Sequence, residues 1–347
     1  MNKSIAALIV GVAAVGVSAC GSNDSGSSSS PASSSGTATS APSTKGIKVA
    51  YASALDPNDV ADQFGLQNAG AKVQTLNDDS AVIAGLQRNS IEVGNVDFDQ
   101  AAAAKAKGLP IKIIYISQTT PEYVLVGRPE VATLTDLADK KLGYQGPGSQ
   151  TEIFVKNLVK QKVPAIESKV KFVSLAESSR RAQAMVAKQL DASSLESINY
   201  AQLQKQGNYH LLGSWSDLAG GAGKAMGTAW ITTDEDYAKN GPRLTAFVKS
   251  MQQGYNEAYK DKAAWVALAK KTLPDVDAAL LPAVYDVYVS RSMYPKSGTP
   301  AITPQSWTAN EQFWRGLGEW DKPLSSSVIA FDLVNAGAAE TAASAAG

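Results

Sequence analysis

From residue 45 onward, short runs rich in β-branched and aromatic residues alternate with longer segments whose apolar positions recur at helical spacing. Residues 47–51, 72–76, 91–96 and 111–116 read as strands. Between them lie predicted helices over 60–68, from 80 to 88 and over 100–107, and Gly70 and Gly108 stand where two of these should stop. Asn77-Asp78-Asp79-Ser80 is dense in residues that cap helix N-termini. Strands separated by helices imply a parallel sheet with helices on its faces, an α/β fold. After an extended run at 123–127 a second series begins. Strands at 141–145, 170–174 and from Asp191 alternate with helices over 151–161, 179–189 and 197–206. A strand returns at 226–232, and helices are predicted over 242–259, 263–273, 276–288 and 304–320. Two such series with a helical C-terminal region predict two lobes. Ligands of open α/β sheets sit beyond the carboxyl ends of the strands, so the edges would face each other across a cleft that can close.

The N-terminus has a different pattern. Lys3 precedes an apolar run over 5–17, shorter than the ~20 residues a bilayer-spanning helix needs. Val17-Ser18-Ala19-Cys20 then resembles a bacterial lipobox, which makes residues 1–20 a signal peptide and Cys20 the lipid-attachment residue. Residues 21–45 are dominated by Ser, Gly, Thr, Ala and Pro and read as a disordered tether. The small residues of 336–347 read as a frayed tail. Cys20 is the only cysteine, so this chain forms no internal disulfide. Lysine and arginine number 32, as do aspartate and glutamate. A neutral body argues against a nucleic-acid partner, whose binding surfaces are basic.

Several segments in order resemble ABC-transporter solute-binding proteins of the nitrate, sulfonate and taurine group, which includes binders of thiamine pyrimidine precursors. They are Asn89-Ser90-Ile91-Glu92-Val93-Gly94, Lys107-Gly108-Leu109-Pro110-Ile111-Lys112, Leu134-Thr135-Asp136-Leu137 with Lys140-Lys141-Leu142-Gly143, Gly146-Pro147-Gly148-Ser149, and Gln189-Leu190-Asp191-Ala192. The resemblance implies a periplasmic-binding-protein-like fold of the second type. Residues 46–133 and 230–335 would form one lobe and 134–229 the other. It also implies a lipid-anchored, monomeric protein on the outer face of the bacterial cell membrane, with an ABC permease as partner and no cofactor. The ligand expected is a sulfonate, a taurine-like zwitterion or an aminopyrimidine-like compound. The alternative on such a fold is an extracytoplasmic receptor or an enzyme.

The candidate ligand residues lie in the turns after strands. Gly148, Ser149, Gln150 and Thr151 link a strand to a helix, where backbone N–H groups and hydroxyls suit an anion or carbonyl. Asp97 and Phe98 follow the third strand, Ser53 the first, and Glu196 a strand of the second lobe. Aromatic walls are expected among Tyr51, Phe98, Tyr123, Trp215 and Trp230. The turns carry Asp56, Asp97, Glu122, Glu177 and Glu196 against Arg180 as the clearest cation. That balance favours a ligand with an amine, amidine or aminopyrimidine group over a bare sulfonate. Catalysis has little support. The single histidine, His210, sits in an apolar run, and neither a zinc-ligand set nor an EF-hand loop is present.

Overall fold

The computed structural model describes residues 43–218, 225–290, 292–296 and 302–336. The described residues form one compact unit. The expected signal peptide with Cys20, nearly all of the expected tether and the expected tail from 337 lie outside the described residues.

Among the described residues, ten strands make two sheets. The first contains β1 (Lys48–Tyr51), β2 (Lys72–Thr75), β3 (Val93–Asp97), β4 (Ile111–Ile116) and β10 (Thr228–Thr233), in the order β2-β1-β3-β10-β4. The second contains β5 (Val124–Gly127), β6 (Lys141–Tyr144), β7 (Lys171–Ser174), β8 (Ala192–Leu195) and β9 (His210–Ser214), in the order β7-β6-β8-β5-β9. The sheets are mixed rather than parallel. β10 runs antiparallel between β3 and β4, with Trp230 opposite Asn95 and Tyr115. β5 runs antiparallel between β8 and β9. Both strands follow a crossover, so each enters its new sheet against the local direction. The first crossover falls between Ile116 and Val124, which puts β5 in the second sheet and moves the expected boundary at 133 upstream.

The helices are α1 (Val60–Ala69), α2 (Asp79–Gln87), α3 (Phe98–Ala106), α4 (Gln150–Lys162), α5 (Ser178–Val186), α6 (Ser197–Gln204), α7 (Asp234–Lys260), α8 (Lys262–Thr272), α9 (Leu281–Ser290), α10 (Pro304–Gly316) and α11 (Phe331–Val334). β9, not expected as a strand, is short and half exposed, which hides its period-two signal. α7 begins eight residues before its expected start, because the chain bends at Asn240 (φ −116°, ψ 21°) ahead of Pro242 rather than starting there.

α1 crosses α7 at a glycine pair. A Cβ on Gly254 would lie 2.1 Å from the Gly65 nitrogen, so the two backbones touch where any side chain would part them. Beside the crossing, Asp62 is buried and accepts a hydrogen bond from the Tyr51 hydroxyl at 3.0 Å and another from the Tyr255 hydroxyl. Hydrogen bonding of the carboxylate offsets part of the cost of burying it. The network fixes Tyr51 at the end of β1, where a cavity opens.

Candidate functional site

At the carboxyl edge of the first sheet, the turns after β1, β2 and β3 meet the first crossover and enclose about 70 Å³. Asp56 opens a single 3-10 turn over Pro57–Asp59. Its Oδ1 accepts from the Asn58 N–H at 2.9 Å, and its own N–H donates to Asp59 Oδ2 at 3.0 Å. Asp79, at the start of α2, accepts from the Asp97 N–H at 3.1 Å. Asp97 stands at the N-cap position of α3 but its carboxylate makes no capping bond, so it is left to face the cavity. Glu122 in the crossover accepts from Asn58 Nδ2 at 2.6 Å and from the Tyr288 hydroxyl at 3.0 Å. Asn95, Gln118, Tyr123 and Thr228 complete this side. Gln150, from the first turn of α4, is the second lobe's contribution to the lining.

The electrostatics are one-sided. Burial, then the charges of Asp79 and Asp99, hold the Asp97 carboxyl well above the usual range. Burial carries Asp79 to about 7, against the opposing pull of the Asp97 N–H. Asp56 and Asp59 are raised by burial and by their acidic neighbours. Glu196 is pushed to about 8 by burial and by Glu122, with Arg181 opposing. Among the described residues no lysine or arginine forms an ion pair with Asp56, Asp59, Asp79, Asp97 or Glu196. The ion pairs formed lie elsewhere, as at Lys105–Asp234 (2.7 Å) and Arg128–Asp191 (3.4 Å).

The structure sorts the residues expected from sequence. Ser53, Asp97 and Gln150 line the cavity. Glu196 does not, though its charge bears on Asp56, which does. Phe98 is fully buried, edge-on to Trp307 at 6.0 Å, and belongs to the core. Ser149 and Thr151 are turned inward. The Ser149 hydroxyl donates to the Gly146 carbonyl at 2.7 Å and caps α4 through the Glu152 N–H, while Thr151 Oγ1 accepts from the Gln145 N–H at 2.8 Å. The Gly148 N–H donates to Glu152 Oε2 at 2.7 Å. The expected anion cradle is thus occupied by its own loop, and the reason is the Glu152 carboxylate, which takes the place an anion would fill. Arg180 pairs with Glu177 on the surface, both side chains more than half exposed, and neither lines the cavity. Of the expected aromatics, Tyr51 and Tyr123 line the cavity, whereas Trp215 and Trp230 are buried.

Asn58, Asp59, Asp79, Asn95, Gln118 and Thr228 were not singled out from the sequence as ligand residues. Asp79 had a signal, but a cluster of Asn and Asp before a helix reads as a cap. Asp78 is in fact the cap, accepting from the Ala81 N–H at 2.7 Å.

Three hydrogen bonds tie the lobes beside the cavity. Gln150 Nε2 donates to Asp99 Oδ1 at 2.7 Å and to the Gly227 carbonyl at 2.8 Å, and Gln100 Nε2 donates to the Gly148 carbonyl at 3.0 Å. His210 lies on β9, its partner in register being Gly127. Among the described residues no group of histidine, cysteine, aspartate or glutamate is arranged to hold a metal ion, and no helix is long and apolar enough to cross a membrane.

Solved structures share this architecture. The ligand-binding component of an ABC-type import system from Staphylococcus aureus, with zinc bound, superposes with a TM-score of 0.66 at 14% identity, over 84% of this chain and 99% of that one. The periplasmic aliphatic sulphonate binding protein SsuA from Escherichia coli gives 0.64 at 15% identity, over 84% and 99%. The desulfurization enzyme DszB gives 0.58 at 12%, over 85% and 99%. At these identities the likeness is one of fold, the two-lobed α/β fold of periplasmic binding proteins. No curated protein matches the chain. The sequence profile of the NMT1/THI5-like family matches residues 66–264, more than half of the chain. This chain is therefore a member of the NMT1/THI5-like family.

Proposed function

We propose that the protein is a lipid-anchored, extracytoplasmic solute-binding protein that captures a small polar organic solute between its lobes and delivers it to an ABC permease. The observation that carries the reading is the polar cavity at the carboxyl edge of the first sheet, bordered by hydrogen bonds from the second lobe. A solute seated there would touch both lobes and favour the closed form, which a permease can distinguish from the open one. Sulfonates, taurine-like zwitterions and aminopyrimidine-like compounds are the classes to try. The acidic lining weighs against a bare sulfonate, whose charge would meet carboxylates in a site of restricted water.

The test is a thermal-shift screen of the full chain against these classes, since a ligand that binds only the folded state raises the melting temperature by mass action. A reproducible rise with one class is expected. No rise with any small solute overturns the capture reading. The second reading, an enzyme, is favoured by the likeness to DszB; chemical change of a bound solute during incubation would establish it. For the anchor, Cys20→Ala should release the protein from the membrane fraction and leave solute affinity unchanged.

A further inference from the structure

Four aspartates that line the cavity fall into two sets, and Glu122 in the crossover lines it as a fifth carboxylate. Asp79 and Asp97 lie at the start of α2 and the end of β3, and Asp56 and Asp59 lie in the turn before α1. Tyr123 lines the cavity with both sets. Its hydroxyl is raised by burial and then by Asp97, Glu196, Glu122 and Asp56, so it feels carboxylates of both, whereas Asp97 is raised by burial, Asp79 and Asp99. A second, independent observation comes from Gln118. It is only 5% exposed, lines the cavity, and has no hydrogen-bond partner for its side-chain amide among the described residues. A polar side chain left in that state asks for a partner from a ligand.

The arrangement also limits what the ligand is. A bare metal ion needs several oxygens converging at ~2–2.6 Å, and no such convergence exists among the described residues. An extended cation with donors at separated points meets separated carboxylates better. The cavity encloses about 70 Å³. At ~10–15 Å³ for each water-sized group, it admits roughly five to seven such groups.

We propose that the cleft selects a compact organic dication with amino or amidino groups at both ends, one end held by Asp79 and Asp97, the other by Asp56 and Asp59, with the Gln118 amide accepting from one of them. This deepens the solute-binding reading and rests on it. Ionised carboxylates are what such a ligand needs, so binding releases the protons that the empty site retains. The titratable groups that act on the first set are Asp78, Asp99 and Tyr123, and those that act on the second are Asp62, Glu122, Glu196, Tyr51, Tyr123, Tyr288 and Tyr294, with Arg181 acting on Glu196. Affinity therefore rises with pH across the range in which Asp79, at about 7, loses its proton.

The experiment is calorimetric titration of the full chain with 1,4-diaminobutane, 1-aminobutane, taurine and ethanesulfonate at pH 6 and pH 8. Expected are diaminobutane binding at least about tenfold tighter than 1-aminobutane, no heat with ethanesulfonate, and diaminobutane affinity higher by about tenfold at pH 8. Asp97→Asn and Gln118→Leu should each weaken diaminobutane by about tenfold or more. Tighter binding of taurine or ethanesulfonate than of the diamine overturns the inference while leaving solute capture standing. Silence with all four compounds also overturns it, and the wider solute screen then decides capture separately. Should either variant fail to fold, the pH series on the unaltered protein decides, and affinity that is flat or falls from pH 6 to pH 8 overturns the proposal.

Discussion

The two sheets end in strand-to-helix turns of the same kind, yet their polar groups are employed differently. In the second lobe the loop and helix-start groups are largely taken up within the fold, although Ser194 Oγ and Asn199 Oδ1 are buried without a partner among the described residues. Ser149 and Thr151 tie down the loop before α4, and the Ser178 hydroxyl accepts from the Glu196 N–H at 2.9 Å. Arg181 is buried and donates to the carbonyls of Ser194 (2.9 Å), Leu175 (2.9 Å) and Ala176 (2.6 Å). In the first lobe the backbone is equally well satisfied, but Asp97 and Gln118 keep side-chain groups turned to the cavity and unshared. The second edge commits its loop hydroxyls and Arg181 to its own fold, while the first turns Asp97 and Gln118 to the cavity. On the solute-binding reading proposed above, selection would rest on the first lobe, with Gln150 reaching across from the second.

The comparison can be broken from its foundation outward. The largest effect is expected for Gly254→Ala. Its Cβ would sit 2.1 Å from the Gly65 nitrogen, so α1 and α7 must part and the turn that carries Asp56 loses its support. A loss of ~3 kcal/mol or more in urea unfolding is expected. Arg181→Ala strips the buried Ser194 carbonyl and two half-buried carbonyls of their donor and should cost ~2–3 kcal/mol. A cost under ~0.5 kcal/mol would show that the second edge is not structural.

The first edge makes an opposite kind of prediction, read from pH. Asp79, at about 7, and Asp99, at about 6, are raised by burial above their unfolded values near 4. The folded chain then binds more protons than the unfolded one between those values, so stability is fully present below about pH 4 from these groups and is lost as pH rises through 6 and 7. Without ligand, the urea midpoint should fall from pH 5 to pH 8, equivalent to a loss of up to ~4 kcal/mol. A midpoint that rises over this range would mean that the carboxylates are paired after all.

Ser149→Ala should cost ~1 kcal/mol, the usual value of a lost N-cap, with no change in solute affinity. Asp97→Asn should be the smallest change in stability, within ~0.5 kcal/mol of zero or slightly positive, because it removes a charge that only like charges face. A pair of variants in which Ser149→Ala spoils binding and Asp97→Asn spoils folding would reverse the assignment of the two edges.

Local pattern was enough for the α/β class, the two series and most strands, because a buried strand such as Ile111–Ile116 needs an apolar run whatever it packs against. It was enough to place Asp97 at the strand end where the cavity lies, since that carboxylate makes no capping bond. It misjudged Ser149 and Thr151, whose loop chemistry is what an anion site needs until Glu152 arrives from the first turn of α4 to occupy it. Phe98 was misjudged for a related reason, since Trp307, which covers it, comes from a helix more than two hundred residues later.

By itself the sequence determined that strands and helices alternate, that the body is cysteine-free and neutral, and that acidic residues crowd the turns. Those properties depend on residue type and near neighbours. Only the tertiary structure decided which turns meet. Asp56, Asp79, Asp97 and Gln118 are spread over some sixty positions and converge because β1, β2, β3 and β4 share one sheet, with β10 returning antiparallel between β3 and β4 to complete it. Register and crossover set that convergence, and both are fixed by long-range pairing that no local window contains.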